Sequence, residues 1–169
     1  MYNLSLIGMS GAGKSTVGKL FAMGTRQFFD TDTLLEGKCN NEPLDDILAR
    51  LGTEAFLEFE SRVITEHRWP AHLPFLVATG GSVVYHNKTM EFLRRISTVV
   101  YLKMPFAAIA ARVPLEGRGI VCRDGCSFEE AFYEREQLYE QWAHVTVNAH
   151  DSPIGVCLAI NRKMGKLAE

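Results

Sequence analysis

A glycine-rich stretch near the start of the chain carries the residue types that bind phosphate. Gly8, Gly13, Lys14 and Ser15 satisfy the spacing G-x-x-x-x-G-K-[ST], and Gly11 lies inside the same stretch. Glycines permit the positive φ angles that turn successive N–H groups inward, and a following helix directs its positive dipole end to the same point. The pattern predicts a loop that cradles nucleotide phosphates, with Lys14 reaching the β- and γ-phosphates and the Ser15 hydroxyl ligating Mg²⁺.

The position of this stretch strengthens the prediction. It follows the apolar run LSLI and precedes a helical pattern, which is the context that the phosphate-binding motif requires. We therefore expect ATP and Mg²⁺ as cofactors. The predicted nucleotide contacts within the stretch are Gly8, Ser10, Gly11, Ala12, Gly13, Lys14, Ser15 and Thr16.

Two carboxylates, Asp30 and Asp32, end the next β-like run, QFFDTD. Alternate residues of a strand share a face, so both side chains can point into one cleft. Beside a bound phosphate, one carboxylate can hold the water shell of Mg²⁺, and the other can accept or orient a hydroxyl proton. The alternative for Asp32 is a structural role as the N-cap of a helix that contains TLLEG.

The elements that must position these residues follow from alternating patterns along the chain. β-like runs alternate with helical patterns, which predicts an α/β protein whose parallel sheet is covered on both faces. The β-like runs are YNLSLIG, QFFDTD, FLVATGG, STVVYLKM and HVTVNA, and the helical patterns span residues 14–23, 43–50, 53–68, 89–95, 105–112 and 128–142. Ligands gather at the carboxyl ends of such strands, so the loops GMSGAGKS, DTD and TGGS should meet at one edge.

Composition and charge restrict the class of protein. The 169 residues suit one α/β domain spanning residues 1–169, and the net charge of −2 gives no basic field for nucleic acid. No apolar run approaches the roughly 20 residues of a membrane span, and the first residues lack a signal-peptide pattern. We expect a cytoplasmic monomer that acts on a small-molecule hydroxyl acceptor, without nucleic acid or membrane partners. Cys122 and Cys126 are expected to be free thiols, since no second pair completes a metal site.

Several motifs together resemble those of one family of small-molecule kinases. GMSGAGKSTVGKLFA, FFDTD, ATGGSVV, RGIV and EREQLYEQWA are similar, in this order and over nearly the whole chain, to the shikimate kinase family. The resemblance implies a three-layer α-β-α sandwich with a five-stranded parallel sheet, the P-loop kinase fold. It also implies a mobile lid at about residues 113–127, an acceptor-binding helical segment at about residues 31–70, and phosphorylation of a shikimate ring hydroxyl by Mg·ATP.

The resemblance assigns roles to residues on the donor side of the site. Lys14 and Ser15 resemble the family's phosphate-binding lysine and Mg²⁺ ligand, and Asp30 resembles the acid near the metal. Arg118 matches the lid arginine that closes over the phosphates, and Arg112 matches the arginine that stacks on adenine. Lys14 and Arg118 would then balance the charge that phosphoryl transfer places on the γ-phosphate oxygens.

The resemblance also assigns roles on the acceptor side. Asp32 resembles the carboxylate that binds the acceptor hydroxyls and serves as base, so Lys14, Asp32 and Arg118 form the expected catalytic set. Gly80 and Gly81 match glycines that let the backbone approach the substrate, and Arg135 matches an arginine that holds the substrate carboxylate.

The chain departs from the family at positions that bear on the acceptor. Leu57 stands where the family has an arginine that binds the substrate carboxylate, Ser82 replaces a third glycine, and Gly119 replaces a proline of the lid. A pocket with one arginine and a carboxylate from Glu58 or Glu60 also suits a hydroxy amino acid such as homoserine. Three hypotheses stay open: a shikimate kinase, a homoserine kinase or other small-molecule kinase of the same fold, and a non-catalytic nucleotide-binding regulator.

Overall fold

Five strands form a single parallel sheet in the computed structural model, which describes residues 2–113, 121 and 126–167. The strands are β1 (Leu4–Ile7), β2 (Gln27–Asp30), β3 (Phe75–Ala78), β4 (Thr98–Lys103) and β5 (Val145–Asn148). Their order across the sheet is β2-β3-β1-β4-β5, with all neighbours parallel. The five predicted runs and the predicted α/β class are confirmed.

Helices connect the strands and cover both faces of the sheet. They are α1 (Lys14–Ala22), α2 (Thr31–Lys38), α3 (Leu44–Leu51), α4 (Thr53–Glu66), α5 (Asn87–Ile96), α6 (Phe106–Ala110), α7 (Phe128–Trp142) and α8 (Pro153–Leu167), with a short 3-10 helix at Val83–Tyr85. Six of them match the predicted helical patterns. None of these helices within the described residues is long and apolar enough to cross a membrane.

Helix α8 was not predicted, although its buried residues have helical spacing. Val156, Ile160 and Met164 recur every fourth residue and pack into the core. Gly155 and Gly165 lower the helix propensity of this segment and obscure that pattern in the sequence.

The sheet is most deeply buried at its centre, as expected for parallel strands covered on both faces. Every residue of β1 and β3 is buried, whereas the edge strand β5 alternates between buried and exposed positions. Helix α1 packs across this centre, where Gly18 lets it approach Phe28 of β2 and Leu76 of β3. The central strands therefore form a rigid base for the loops that follow them.

The loops that follow β1, β2 and β3 meet at one edge of the sheet. The amide of Gly80 donates to Thr31 Oγ1 at 2.8 Å, and the Ser10 amide nitrogen lies 3.3 Å from the place of a Cβ on Gly81. Thr31 and Gly80 lie just beyond the carboxyl ends of β2 and β3. The prediction that these loops meet is confirmed.

We predict that Gly18→Ala lowers the free energy of unfolding. A Cβ at Gly18 would lie 2.6 Å from Phe28 Cε2 and 2.9 Å from Leu76 Cδ2, in a packed interior. Overpacking of this kind costs about 1–3 kcal/mol, which outweighs the gain of up to about 1 kcal/mol from replacing a helical glycine. Urea unfolding measures the difference. Gly165→Ala is the matched control, because no described atom beyond its own stretch of helix lies within 4 Å of its Cβ position. Equal stability of the two variants would contradict the described packing of α1.

Candidate active site

The phosphate-binding motif forms a loop between β1 and α1. Gly13 is the N-cap of α1 with φ 86°, and Gly8 has φ 143° with the Leu102 carbonyl oxygen 2.8 Å from the place of a Cβ. Both positions favour glycine, the first by backbone conformation and the second by conformation and close approach. The loop therefore presents the amino end of α1 to the edge where the other loops meet, a geometry that attracts anions.

Lys14 is fixed at the mouth of this loop. It is only 8% exposed, and its Nζ donates to the carbonyl oxygens of Gly8 at 2.7 Å and Met9 at 2.8 Å. Because the ammonium group is largely removed from water, its attraction for a phosphate beside the loop is strong. Arg112 lies at the same loop, where its Nη1 donates to the Gly11 carbonyl at 3.4 Å.

Ser15 and Asp30 come together as a pair of oxygen ligands. The Ser15 hydroxyl donates to Asp30 Oδ2 at 2.6 Å. Mg²⁺ takes one or two such protein ligands and completes its octahedron with phosphate oxygens and water. Within the described part of the chain, no group of three or more His, Cys, Asp or Glu residues is arranged to hold a metal by itself. The pair fits a cation that arrives with the nucleotide.

Asp32 reaches the site from a helix and not from a strand. Strand β2 ends at Asp30, and Asp32 lies in the first turn of α2. The expectation that strand alternation aligns the two carboxylates is therefore wrong, and so is the alternative that Asp32 is the N-cap. Asp30 is the N-cap, because its Oδ1 accepts from the Asp32 amide at 3.1 Å. Capping by Asp30 aims the Asp32 side chain at the cavity beside Gly80.

A cavity of about 310 Å³ opens beside the loop, with opposite charges at its two ends. A Cβ on Gly80 would lie 2.6 Å from Glu60 Oε1 and 3.1 Å from Asp32 Oδ1. A Cβ on Gly81 would lie 3.4 Å from Arg135 Nη1. The bare backbone of the two glycines therefore forms the cavity wall between two carboxyl groups and one guanidinium group.

Arg135 supplies the positive end of the cavity. It is only 4% exposed, its Nη2 donates to the Val121 carbonyl, and its guanidinium lies 4.9 Å from the centre of the Tyr85 ring. Burial alone lowers the pKa of Arg135, but interactions with Tyr139 and Tyr85 outweigh that effect and the pKa is raised. No ion pair links Arg135 to a carboxylate of the described residues. Its buried charge is suited to an anionic group of a ligand.

Glu60 and Ser82 form a buried pair at the opposite end. Glu60 is 2% exposed, and its Oε2 accepts from the Ser82 hydroxyl at 2.9 Å. Burial, with a further contribution from the charge of Asp32, raises the pKa of Glu60 to about 7, against the lowering effect of the hydrogen bond from Ser82. The sequence marked Ser82 only as a departure from a glycine, so its contact with Glu60 was not predicted.

Tyr139 is a further site residue that the sequence analysis missed. Its hydroxyl donates to the Gly81 carbonyl at 2.5 Å, and its ring stacks on Tyr101 with centroids 5.0 Å apart. Tyr139 stands four residues after Arg135 on α7, so the helical spacing places both on one face. This four-residue spacing from Arg135 is the feature of the sequence that could have identified Tyr139 as a site residue.

Two residues considered for the acceptor pocket lie elsewhere. Leu57 does not line the cavity but is 3% exposed in an apolar cluster with Ile47 and Tyr85. The Glu58 side chain is 78% exposed and pairs with His86 at 3.1 Å. The acceptor pocket therefore holds neither the leucine side chain nor the carboxylate of Glu58.

Other expectations concern the segment after α6. Arg118 and most of the predicted lid at residues 113–127 lie outside the described residues. Val121, which lies within that range, lines the cavity, and so does Phe128, the first residue after it. Cys126 is disulfide-bonded, which corrects the expectation of a free thiol at this position, and Cys122 lies outside the described residues.

Comparison with known proteins gives one consistent family. A family model described as shikimate kinase matches residues 10–164. The chain is 30% identical over 161 residues to shikimate kinase 2 of Photorhabdus laumondii, covering 89% of this chain and 88% of the relative. It is 30% identical over 173 residues to a shikimate kinase of Clostridium botulinum, covering 98% and 99% of the two chains. Its fold is similar to that of shikimate kinase from Acinetobacter baumannii in complex with shikimate, with a TM-score of 0.76, 27% identity, and 99% of this chain and 93% of that chain covered.

We predict that Ser15→Ala reduces the effect of Mg²⁺ on nucleotide binding. Removing the hydroxyl leaves Asp30 without the partner that lies 2.6 Å away and removes one oxygen ligand. The affinity for ADP should fall about tenfold in Mg²⁺ and stay nearly unchanged in EDTA. Isothermal titration of ADP under both conditions measures this difference. Equal losses with and without Mg²⁺ would assign Ser15 to phosphate binding and not to the metal.

Proposed function

The chain belongs to the shikimate kinase family, and from that premise we propose that it transfers the γ-phosphoryl group of ATP to a ring hydroxyl of shikimate. The observation that carries the proposal is the division of charge in the cavity next to the phosphate-binding loop. One end offers the buried guanidinium of Arg135, and the other offers the carboxyl groups of Asp32 and Glu60. A ligand with a carboxylate at one end and hydroxyls at the other matches that division.

On the acceptor side, Arg135 binds the shikimate carboxylate through charge-assisted hydrogen bonds. Its orientation is set by the Val121 carbonyl and the Tyr85 ring, which fix the guanidinium before the ligand arrives. The backbone of Gly80 and Gly81 supports the ring of the acceptor, since neither residue carries a side chain to block it. This contact turns one hydroxyl toward Asp32.

Asp32 orients that hydroxyl and accepts its proton. The carboxylate sits in the first turn of α2, which Asp30 caps by accepting from the Asp32 backbone amide. Phosphoryl transfer needs no covalent bond to the protein, so the rate enhancement on this side comes from holding the hydroxyl in line with the γ-phosphate.

On the donor side, Lys14 and the amino end of α1 hold the phosphates, and Ser15 and Asp30 would hold Mg²⁺. When bound, the cation neutralises charge on the phosphate oxygens. We also propose that Arg112, which lies at Gly11, contacts the adenine and that Arg118 adds positive charge at the γ-phosphate. We propose that the enzyme is a cytoplasmic monomer.

The other hypotheses have less support. Of the two acids considered for the ammonium group of an amino-acid acceptor, Glu58 is exposed and pairs with His86 outside the cavity lining, and burial raises the pKa of Glu60 to about 7, which weakens its negative charge at neutral pH. A nucleotide-binding regulator has no need for a buried arginine opposite two carboxyl groups in a second pocket. The buried arginine and the two carboxyl groups fit a kinase whose acceptor is a hydroxylated carboxylic acid.

We predict that Lys14→Ala abolishes phosphoryl transfer in a folded protein. The lysine neutralises charge that grows in the transition state, so kcat should fall about 10²–10³-fold or more. A coupled assay of ADP formation with shikimate measures kcat and KM. Lys19→Ala, which changes an exposed lysine of the same helix, is the matched control and should leave kcat unchanged. Near-normal turnover by Lys14→Ala would refute the proposed chemistry.

We predict that Asp32→Asn preserves nucleotide affinity while lowering kcat about 10²–10⁴-fold. The amide keeps the size of the side chain but cannot accept the hydroxyl proton. Affinity for ADP and turnover are measured separately, with Asp46→Asn on α3 as the control for an exposed acid in a first helical turn. An equal loss of ADP affinity and of turnover would instead indicate that Asp32 belongs to the metal site.

A further inference from the structure

Tyr85 contacts Arg135 from outside the acceptor cavity. Its ring centre lies 4.9 Å from the guanidinium carbon of Arg135, and the residue is only 8% exposed. Arg135 lines the cavity, whereas Tyr85 does not. Tyr85 therefore lies behind the arginine, and its influence on acceptor binding acts through the guanidinium group.

The hydroxyl of Tyr85 holds the ring in this position. It donates to Glu134 Oε2 at 2.8 Å, and Glu134 directly precedes Arg135 on α7. The backbone of Tyr85 ends the short 3-10 helix that follows Ser82. The ring is thus anchored at one end by its own backbone and at the other by the same stretch of α7 that carries the arginine.

Apolar packing adds to this support, and it leaves the cavity with a single cation. Tyr85 belongs to the apolar cluster that includes Leu57 and Val121. Leu57 contributes packing to that cluster and no charge to the cavity. Among the described residues that line the cavity, Arg135 is the only cation. Binding of an acceptor carboxylate therefore depends on how well this one guanidinium is oriented.

An aromatic ring suits a cation that must stay available to a ligand. The negative face of the ring attracts the guanidinium, and the attraction is stronger where water is excluded, as it is at Arg135, which is 4% exposed. Unlike a carboxylate partner, the ring leaves the cation its charge. Nε of Arg135 has no hydrogen-bond partner among the described residues, so donor capacity remains as well.

We propose that Tyr85, held by Glu134, is a positioning residue that orients Arg135 and thereby sets the preference of the site for an acceptor with a carboxylate. This inference rests on the proposed function and adds a determinant of selectivity outside the cavity. A long arginine side chain loses conformational freedom when it binds a ligand, and a guanidinium that is already held in place avoids part of that loss. Tyr85 therefore contributes to carboxylate binding and not to the chemical step.

The test compares shikimate with its carboxamide analogue, which differs only in the charge of the group that faces Arg135. Calorimetry at pH 7 without nucleotide gives both Kd values, and the wild type should bind shikimate about 10–100-fold more tightly. Tyr85→Leu keeps an apolar side chain in the cluster but removes the ring and the hydroxyl. It should raise the Kd of shikimate about tenfold and that of the carboxamide by less than about threefold.

Steady-state kinetics separate positioning from catalysis. For Tyr85→Leu, the KM for shikimate should rise about tenfold, while kcat and the KM for ATP stay within about twofold of wild type. Tyr133→Leu is the matched control, because Tyr133 is 50% exposed on α7 and does not line the cavity. This control should follow wild type in all four quantities: the Kd and KM of shikimate, kcat, and the KM for ATP.

A second variant keeps the test decisive even if Tyr85→Leu fails to fold. Tyr85→Phe keeps the ring and loses the hydroxyl that binds Glu134, so the Kd of shikimate should rise about two- to threefold, with no change for the carboxamide. An equal weakening of both ligands would assign Tyr85 a purely structural role and overturn the inference, and so would an unchanged Kd of shikimate. A wild type that does not distinguish the two ligands, or does not phosphorylate shikimate, would instead overturn the proposed function.

Discussion

The candidate site depends on the two hydrogen bonds that hold the backbone of Gly80 and Gly81. Thr31 accepts from the amide of Gly80, and Tyr139 donates to the carbonyl of Gly81. These two partners come from opposite halves of the chain, and the glycines themselves follow β3, the neighbour of the central strand β1. The segment therefore keeps the two carboxyl groups and Arg135 at a fixed separation. A Cβ at Gly80 would clash with Glu60 Oε1 and crowd Asp32 Oδ1, which explains why the wall consists of bare backbone.

Electrostatic balance is the second constraint on this site. Arg135 and Glu60 are both almost fully buried, yet neither forms an ion pair with another described residue. The charge of Arg135 lowers the pKa of Glu60, but the two side chains are not in ion-pair contact, so each keeps its capacity for the ligand. The arrangement costs stability, because buried charges need partners. Strained electrostatics of this kind is common in sites whose missing partners arrive with the substrate.

Much of the donor side could be predicted from the sequence, because its geometry is local. The glycine spacing, Lys14 and Ser15 define a loop whose form follows from backbone conformation, and the position of Asp30 after an apolar run places it at the same edge. The acceptor side depends on contacts between distant segments. Residue spacing could not reveal that Ser82 binds Glu60 or that Leu57 packs in an apolar cluster. It also could not reveal that α2 begins directly after the last residue of β2.

Asp30 divides its two oxygens between the donor and acceptor halves of the site. Oδ2 accepts from Ser15 at the nucleotide loop, and Oδ1 accepts from the amide that begins the turn carrying Asp32. A cation bound at Oδ2 would draw electron density from the carboxylate and weaken Oδ1 as a hydrogen-bond acceptor. Binding of a nucleotide with its cation would then be thermodynamically linked to the first turn of α2, and by reciprocity an acceptor bound at Asp32 would act back on the metal. One carboxylate would thus couple the two substrate sites.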